Sequence, residues 1–318
     1  MVTLGYALSS EEHSARELVG FAQRAEAAGF EYAMISDHYH PWIRAQGESP
    51  FVWSVLGGVA ATTERLRVGT GVTCPIMRYH PAIVAQAAAT VESMMPGRFM
   101  LGVGTGEALN EHIVGQHWPP WRERAAMLEE AVALIRELWT GKKVRHSSEH
   151  FTVENARVYS RPDTPPPIIV AGGAAHSADL AGKIGDGLIN FAPEPSIVEQ
   201  FESSGGPGKP KFIQYNVCYD ESEEHARKIA LEVCPTVALT GEVPQTLPEP
   251  EHFEQAVQLV TEEKIAEVIV CGPDPDRHAE GLQKCIDAGF DHVHVDQVGP
   301  NQEGFFRFYE REILPRFQ

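Results

Sequence analysis

Residues 32–42 read YAMISDHYHPW, and the interpretation of the whole chain starts from this stretch. The apolar run 32–35 stops abruptly, and Asp37, His38 and Trp42 follow it. An apolar run that ends in an acid, an imidazole and an indole is typical of a buried parallel strand with functional groups at its carboxyl end. A single Asp-His pair after a strand is also a common cap or loop hydrogen bond. A functional reading therefore depends on whether other strands end in the same way.

The composition is that of a globular protein with a large core. The chain has 318 residues, of which 43% are hydrophobic and 22% charged. A net charge of −18 argues against nucleic acid or an anionic membrane surface as a partner. No apolar run approaches the roughly 20 residues of a transmembrane helix, and the N-terminus lacks the pattern of a signal peptide. We expect no metal site and a cytoplasmic location, because the cysteines are odd in number and lack zinc-like spacing: Cys74, Cys218, Cys234, Cys271 and Cys285.

Eight strand candidates alternate with helical patterns along the chain. They are residues 3–8, 32–36, 67–73, 99–103, 167–171, 187–191, 211–218 and 292–296. This alternation predicts an α/β fold, a single (β/α)₈ TIM-barrel domain over 1–318, rather than a doubly wound sheet. The nearest nucleotide-binding pattern, GVGTG at 102–106, follows the fourth strand and has the wrong spacing. Two less regular stretches, 142–162 and 235–253, predict insertions after strands four and seven.

In such a barrel the active site lies at the carboxyl ends of the strands. The groups found after the first five strands are Glu11; Asp37, His38 and Trp42; Val72 and Cys74; Thr105, Gly106, Glu107 and Asn110; and Ala171, Gly172 and Gly173. Carboxylates, an imidazole and an indole around glycine-rich backbone suit redox chemistry on a flat heterocycle, and neither an aldolase-like lysine nor a metal cluster is evident. Each residue alone also has a structural explanation, such as helix capping for Glu11 and Glu107. The joint pattern favours a site.

Several blocks of the sequence resemble the luciferase-like flavin and deazaflavin oxidoreductases, and within them the F420-dependent glucose-6-phosphate dehydrogenase group. The blocks are GYALSSEEHSAREL, SDHYHPW, GTGVTCPIMRYHPAIVAQAAAT, RFMLGVGTGEALNE, AGG with GDG, and DAGFDHVHV. They span nearly the whole chain. The resemblance implies a luciferase-like barrel, a small-molecule substrate, coenzyme F420 as the cofactor with FMN as the alternative, and a homodimer.

The resemblance also implies roles for individual residues. His38 would take the hydroxyl proton as hydride leaves the substrate carbon, Trp42 would stabilise the charge that develops, Glu107 would lie at the N1 edge of the ring, and Glu11 matches a second acid of the pocket. The implied cofactor-binding residues are Asp37, Gly71, Val72, Cys74, Thr105, Gly106, Asn110, Ala171, Gly172 and Gly173. A cis peptide bond at Gly71–Val72 is expected as well.

The chain departs from that group where the group holds the substrate phosphate. Glu194, Pro244 and Glu267 stand at the places of basic residues, and Phe191 stands at a hydroxyl contact. Two carboxylates would repel a dianionic phosphate. We therefore expect a neutral alcohol or hemiacetal as the substrate rather than glucose 6-phosphate. Gly71 and Cys74 replace a serine and a threonine of the group, which removes one hydroxyl donor near the cofactor and softens another.

Three other functions stay open from the sequence. They are an F420-dependent glucose-6-phosphate or other sugar-phosphate dehydrogenase, an FMN-dependent luciferase-like monooxygenase, and a catalytically silent barrel that binds its cofactor as a carrier or sensor. Intact His38 and Glu107 count against the silent barrel. The exact substrate, the physiological direction and the oligomeric state do not follow from the sequence.

Overall fold

Eight parallel strands close into a barrel in the structure, a computed structural model that describes residues 2–317. The barrel strands are β1 (Thr3–Leu8), β2 (Tyr32–Ile35), β3 (Arg67–Thr70), β4 (Phe99–Val103), β7 (Ile168–Ala171), β8 (Gly187–Asn190), β9 (Lys211–Cys218) and β11 (His292–Gln297). Their order is β9-β11-β1-β2-β3-β4-β7-β8, and pairing of β8 with β9 closes the ring. The prediction of an α/β TIM barrel is confirmed.

Helices connect the strands and cover the outside of the barrel. They are α1 (Ala15–Ala28), α2 (Val52–Thr62), α3 (Pro81–Met94), α4 (Ala108–Glu111), α5 (Trp121–Trp139), α6 (Ala175–Ile184), α7 (Pro195–Ser203), α8 (Glu223–Val233), α9 (Val243–Thr246), α10 (Pro250–Ala256), α11 (Glu262–Ala266), α12 (Pro275–Asp287) and α13 (Gln302–Phe308). Short 3-10 turns lie at His112–Val114, Pro235–Ala238 and Leu314–Arg316, and a π-helical turn lies at Tyr309–Ile313. None of the helices described is long and apolar enough to cross a membrane.

Both predicted insertions are present. An antiparallel hairpin of β5 (Val144–Ser147) and β6 (Thr152–Ala156) lies between barrel strands β4 and β7. The chain after β9 and α8 makes an irregular excursion that contains α9 and α10. A short strand, β10 (Val270–Cys271), which is not among the eight strand candidates, pairs in parallel with the end of β9. It is only two residues long, too short to leave a pattern in the sequence.

Strand β3 ends three residues earlier than predicted, at Thr70. The expected cis peptide at Gly71–Val72 is present. Val72 then lies over the glycines of β4 and the loop that follows it. A Cβ atom on Gly104 would lie 2.8 Å from Cγ2 of Val72. One on Gly102 would overlap the Thr70 carbonyl oxygen and lie 3.3 Å from Cγ1 of Val72. Glycine at these positions makes room for Val72 at the carboxyl end of the barrel.

The inside of the barrel has an apolar floor and one polar wall. The floor is formed by Tyr32, Met34, Met100, Ile169, Ile189 and Phe212, with Val72 and Ala171 packed against it. Because side chains alternate along a strand, the residues above Phe212 on β9 and above His294 on β11 also face inward. Gln214 Nε2 accordingly donates to Asp296 Oδ2 at 3.0 Å. The carboxyl ends of β3, β4 and β7 instead carry Gly71, Val72, Gly104 and Ala171.

Candidate active site

His38 and Glu11 meet at the carboxyl ends of β1 and β2. Oε1 of Glu11 lies 3.3 Å from Nδ1 of His38, and both side chains are largely buried. The other oxygen of Glu11, Oε2, accepts a 2.6 Å hydrogen bond from the Ser36 hydroxyl. The predicted imidazole and the predicted second acid are therefore direct neighbours. Ser36, which ends the apolar run of β2, is the residue that fixes the carboxylate.

The neighbours of His38 determine which ring nitrogen carries the proton. Nδ1 lies 3.2 Å from the carbonyl oxygen of His40 and 3.3 Å from the Glu11 carboxylate. Both groups are acceptors, so Nδ1 is the protonated nitrogen of a neutral ring. Nε2 is then left with a lone pair that can take up a proton. A carboxylate behind Nδ1 also stabilises the imidazolium that forms when Nε2 is protonated.

Trp42 packs beside this imidazole. The two ring centroids are 4.9 Å apart at an interplanar angle of 56°. On its other side Trp42 makes an edge-on contact with Phe253 of α10, at 5.2 Å. The indole is therefore held between the catalytic candidate and the excursion after β9. That excursion is part of the site wall and not a remote insertion.

Asn110 connects the loop after β4 to the loop after β2. Its Oδ1 accepts hydrogen bonds from the backbone N–H groups of Tyr39 at 2.8 Å and His40 at 3.3 Å, and its Nδ2 lies 3.4 Å from Oε2 of Glu107. The side chain is buried. Asn110, predicted as a cofactor contact, thus makes these bonds within the protein and positions Glu107 and the His38 loop relative to each other.

Asp37 is buried and strongly bound by its own protein. Oδ2 accepts from the Thr73 hydroxyl at 2.7 Å, and Oδ1 accepts from Arg78 at 3.0 Å and from the Tyr79 hydroxyl at 3.3 Å. The sequence analysis assigned Asp37 to the cofactor and did not identify these three partners. All three partners lie in the block TCPIMRYHP, directly after β3, where their polar groups are visible in the sequence. Through these bonds Asp37 connects the loop after β2 to the loop after β3.

Arg78 also joins a buried acid of the fourth loop. Its Nε lies 3.5 Å from Oε1 of Glu111, and its backbone N–H donates to Oε2 at 2.7 Å. Burial raises the pKa of Glu111 to about 7 although Arg78 lowers it. Cys74 lies against the same loop, since a Cβ on Gly106 would be 2.5 Å from its sulfur. Burial raises the pKa of the Cys74 thiol well above its usual range, so it packs as a neutral filler.

A second buried guanidinium holds the glycine-rich loop. Nη1 of Arg124, on α5, donates to the carbonyl oxygens of Thr105 and Gly106, each at 3.1 Å. Its Nε donates to the Pro119 carbonyl, and the group lies 4.3 Å from the Trp118 ring. The sequence analysis missed Arg124, which stands in the middle of a predicted helix with no motif around it. This residue fixes the loop that precedes Glu107.

The Ala171-Gly172-Gly173 turn leads from β7 into α6. The Gly172 N–H donates to the carbonyl of Ile189 at 3.0 Å, which anchors the turn on β8. At the start of α6 the Ala174 N–H donates to the Ser177 hydroxyl at 3.0 Å. The turn and the helix N-terminus face the same end of the barrel as His38, because both follow the carboxyl end of a parallel strand.

The three predicted substrate-pocket residues are exposed. Phe191, which follows β8, is 54% exposed. Glu194 precedes the first residue of α7, and Glu267 follows α11. Oε2 of Glu267 forms a 2.6 Å ion pair with Lys264. Glu267 is thus accompanied by a positive charge of its own chain, which weakens the repulsion expected from it.

Two further carboxyl groups lie behind Glu11, and the sequence analysis identified neither. Burial raises the pKa of Glu12 to about 8, and the charge of Asp296 adds to this. Burial raises the pKa of Asp296 to about 7, with a contribution from Glu11. Across residues 2–317, we find no cluster of three or more His, Cys, Asp or Glu side chains suited to a metal ion.

Comparison with known proteins agrees with this geometry. The family model described as luciferase-like monooxygenase matches residues 2–292. Proteins named F420-dependent glucose-6-phosphate dehydrogenase from Beutenbergia cavernae and Segniliparus rotundus are each 36% identical, over all of this chain and 98% of theirs.

Solved structures of F420-dependent enzymes are also similar to this chain. An F420-dependent secondary alcohol dehydrogenase in complex with an F420-acetone adduct superposes with a TM-score of 0.93 at 30% identity, covering 100% of this chain and 99% of that one. The F420-dependent tetrahydromethanopterin reductase of Methanopyrus kandleri shares the fold, with a TM-score of 0.82 at 22% identity and coverage of 100% and 99%. The chain therefore belongs to the luciferase-like monooxygenase family, and within it to the group of F420-dependent oxidoreductases.

Proposed function

We propose that this protein transfers a hydride between the alcohol or hemiacetal carbon of a neutral substrate and coenzyme F420. The proposal rests on the contacts that the His38 ring makes within the protein. Its Nδ1 is occupied by the His40 carbonyl and the Glu11 carboxylate, and Nε2 is the nitrogen left to exchange a proton with substrate. Loss of hydride from an alcohol carbon requires a base that removes the hydroxyl proton, and imidazole suits this role near neutral pH.

The shape of the barrel mouth fits a flat ring. Val72 and Ala171 form an apolar surface beside Gly71 and Gly104, on the side of the barrel formed by the carboxyl ends of β3, β4 and β7. We assign the ring to this side, and the phosphate of the cofactor to the backbone N–H groups near the start of α6. When bound, F420 supplies the carbon that accepts or donates hydride. Asp37, Cys74, Thr105, Gly106 and Asn110 then form or brace the surrounding loops.

The remaining catalytic candidates handle charge and protons around this ring. Glu11 holds Nδ1 of His38 and favours the imidazolium once Nε2 has taken a proton. Trp42 keeps the imidazole in place and covers the site against water. Glu107, which Asn110 holds at 3.4 Å, is the group proposed to exchange a proton with the ring. The same arrangement serves the reverse reaction, in which His38 donates the proton to a carbonyl oxygen.

A neutral substrate is supported by the state of the nearby cations. The guanidinium of Arg78 is taken by Asp37 and Glu111, and that of Arg124 by backbone carbonyls. Lys264 pairs with Glu267, and Arg44, two residues after Trp42, pairs with Glu254. Each of these cations already has an oxygen partner, so a phosphate dianion would have to compete for it.

A sugar-phosphate dehydrogenase is the second candidate, because the relatives at 36% identity are named for glucose 6-phosphate. Two measurements separate the possibilities. Fluorescence titration with F420 and with FMN tests the cofactor. Reduction of F420 is then followed with glucose 6-phosphate and with neutral alcohols, beginning with propan-2-ol. Turnover of neutral alcohols alone supports the proposal, rapid turnover of glucose 6-phosphate favours the second candidate, and tight binding of FMN alone would favour a monooxygenase.

We also propose that residues 1–318 act as one domain in a cytoplasmic homodimer. The five cysteines are free and buried, as in proteins of reducing compartments. Phe51, which precedes α2, and Ile83, within α3, are 55% and 57% exposed and are candidates for a subunit contact. Light scattering of the purified protein tests the dimer, and a monomer at micromolar concentration would contradict it.

A further inference from the structure

Behind the His38–Glu11 pair lie two acidic side chains that the proposed reaction does not use. Ser9 connects them to it, because its hydroxyl lies 3.3 Å from Oε2 of Glu11 and 3.3 Å from Oε1 of Glu12. The second oxygen of Glu12, Oε2, accepts from the Gly299 N–H at 2.8 Å. A continuous path of polar atoms therefore runs from His38 through Glu11 and Ser9 to Glu12.

The Ser9 hydroxyl has one hydrogen and faces two carboxyl groups. It can donate to only one of them at a time. If both acids were ionised, Ser9 would donate to one carboxylate, and the oxygen of the other carboxylate would face a lone pair of the Ser9 hydroxyl with no hydrogen between them. If Glu12 carries a proton, Glu12 donates to Ser9 and Ser9 donates to Glu11, and every contact along the path is satisfied. The hydrogen-bond count therefore favours one proton on the two acids. Glu11 already accepts from the Ser36 hydroxyl and faces Nδ1 of His38, so we place the proton on Glu12.

Asp296 gives an independent indication of a retained proton. Its Oδ2 accepts from Gln214, but Oδ1 is buried without a hydrogen-bond partner, and the residue is 7% exposed. A buried carboxylate oxygen without a donor is costly, and protonation of the group removes most of that cost. Asp296 also interacts electrostatically with Glu12.

No nearby group neutralises these acids. The other titratable side chains that act on Glu12 and Asp296 are Glu11, Tyr6, Cys218 and Cys234, and His13 lies by Glu11. Burial raises the pKa of Tyr6 and of both thiols and lowers the pKa of His13, so these four are neutral at pH 7. Within residues 2–317, neither Glu12 nor Asp296 forms an ion pair with arginine or lysine.

We propose that Glu12 and Asp296 share a proton at neutral pH and act as positioning residues that keep the Glu11–His38 pair in its working charge state. Each of the two acids has its own structural reason to keep a proton, and loss of a proton by one raises the cost of ionising the other, so we expect them to titrate as a pair. While the pair holds its proton, it carries only one negative charge behind the Glu11 carboxylate that faces His38. Release of the proton at higher pH adds a second negative charge behind Glu11. The effect of this added charge on turnover rests on the proposed role of His38. The shared proton itself does not depend on that role.

Infrared spectroscopy of the whole protein, without cofactor or substrate, tests this proposal. The band of neutral carboxyl groups is followed from about pH 5 to about pH 9 in the wild type and in Glu12→Gln, Asp296→Asn and Glu11→Gln. Glu280→Gln, a change of an exposed acid on α12, is the matched control. Thermal melting of each variant checks that it is folded, and the glutamine variants carry the test if Asp296→Asn does not fold.

The wild-type spectrum minus the spectrum of Glu12→Gln or of Asp296→Asn removes the band of Glu111, whose pKa is also raised to about 7. In this difference we expect a neutral-carboxyl band at pH 7 that disappears by about pH 9. In each of Glu12→Gln and Asp296→Asn the midpoint of the remaining group falls by about one pH unit, because its like-charged partner is gone. Glu11→Gln lowers the midpoint as well, and this shift measures the coupling to the His38 pair, which is reciprocal. Glu280→Gln leaves the titration unchanged.

Absence of the band from these difference spectra at pH 7 would overturn the shared proton. Midpoints equal to that of the wild type in both single variants would show two independent acids. An unchanged midpoint in Glu11→Gln would remove the link to His38. None of these outcomes depends on F420 or on a substrate, so failure here is distinguishable from failure of the proposed function.

Discussion

Oδ1 of Asn110 lies 2.8 Å from the backbone nitrogen of Tyr39, and this bond joins the loop after β4 to the loop that carries His38. Replacement of Asn110 by alanine leaves two backbone N–H groups of the loop without their acceptor. We expect a loss of about 1–3 kcal/mol in the free energy of unfolding and lower F420 turnover. Thermal melting and initial rates check both. Asn110→Ser retains an acceptor oxygen without adding a charge beside Glu107 and is the control, and equal behaviour of the two variants would contradict this role.

His38 is expected to be the base. His38→Ala removes proton transfer but leaves the ring-binding side of the barrel intact. We expect the rate of F420 reduction by the working substrate to fall by about 10²–10⁴-fold, with F420 affinity, measured by fluorescence, changed little. His112→Ala, at an imidazole of the neighbouring turn that contacts His40 but not Glu11, is the matched control. Wild-type turnover in His38→Ala would remove His38 from the mechanism.

Glu12 is expected to reduce stability at alkaline pH. Its pKa is raised from 4.5 to about 8, so the folded chain binds more protons than the unfolded chain between these values. Stability therefore falls as the pH rises through this window. Glu12→Gln removes the effect, and we expect the melting temperature of the variant to exceed that of the wild type by several degrees at pH 8.5 and to differ little near pH 5. A difference that is the same at both pH values would contradict the assignment.

Gly104 is expected to tolerate no side chain. A Cβ atom there would lie 2.8 Å from Cγ2 of Val72. Gly104→Ala displaces Val72 from the surface that we assign to the cofactor ring, and we expect at least a tenfold loss of F420 affinity by fluorescence titration. The double variant Gly104→Ala/Val72→Ala removes the clashing methyl group. Recovery of part of the affinity relative to Gly104→Ala is the expected result, and no recovery would place the cause elsewhere.

The barrel itself could be predicted from the sequence because its signals are local. Apolar runs alternate with helical patterns, and the glycines of β4 and of the loop after it are visible in the blocks around them. The end of β3 could not be predicted in this way, since it depends on how Val72 packs over Gly102 and Gly104, which lie about thirty residues further on. Strand β10 is not among the predicted strands for a different reason: its two residues are too few to show an alternating sequence pattern.

The candidate site was predicted only in part for a related reason. Residue type and position after a strand identified His38, Glu11 and Glu107, but they do not say what each side chain binds. Asp37 and Asn110 prove to be held by other loops of the barrel. Asp296 was not predicted as a site residue because it lies inside the last strand, in the run HVHVDQ, and not after it. Only the alternation of side chains along that strand indicates that it faces inward.

The contact between Trp42 and Phe253 bears on how this scaffold diversifies. Phe253 is fully buried in a small cluster with Ile43 and Leu109, and it belongs to the excursion after β9 rather than to the barrel. Changes in the length or sequence of that excursion reach the Trp42 indole directly, while the barrel strands and the His38–Glu11 pair stay unchanged. Selection for a new substrate, in nature or in a directed-evolution library, has in residues 235–256 a region outside the barrel strands where specificity can change, provided that the buried Phe253 is kept.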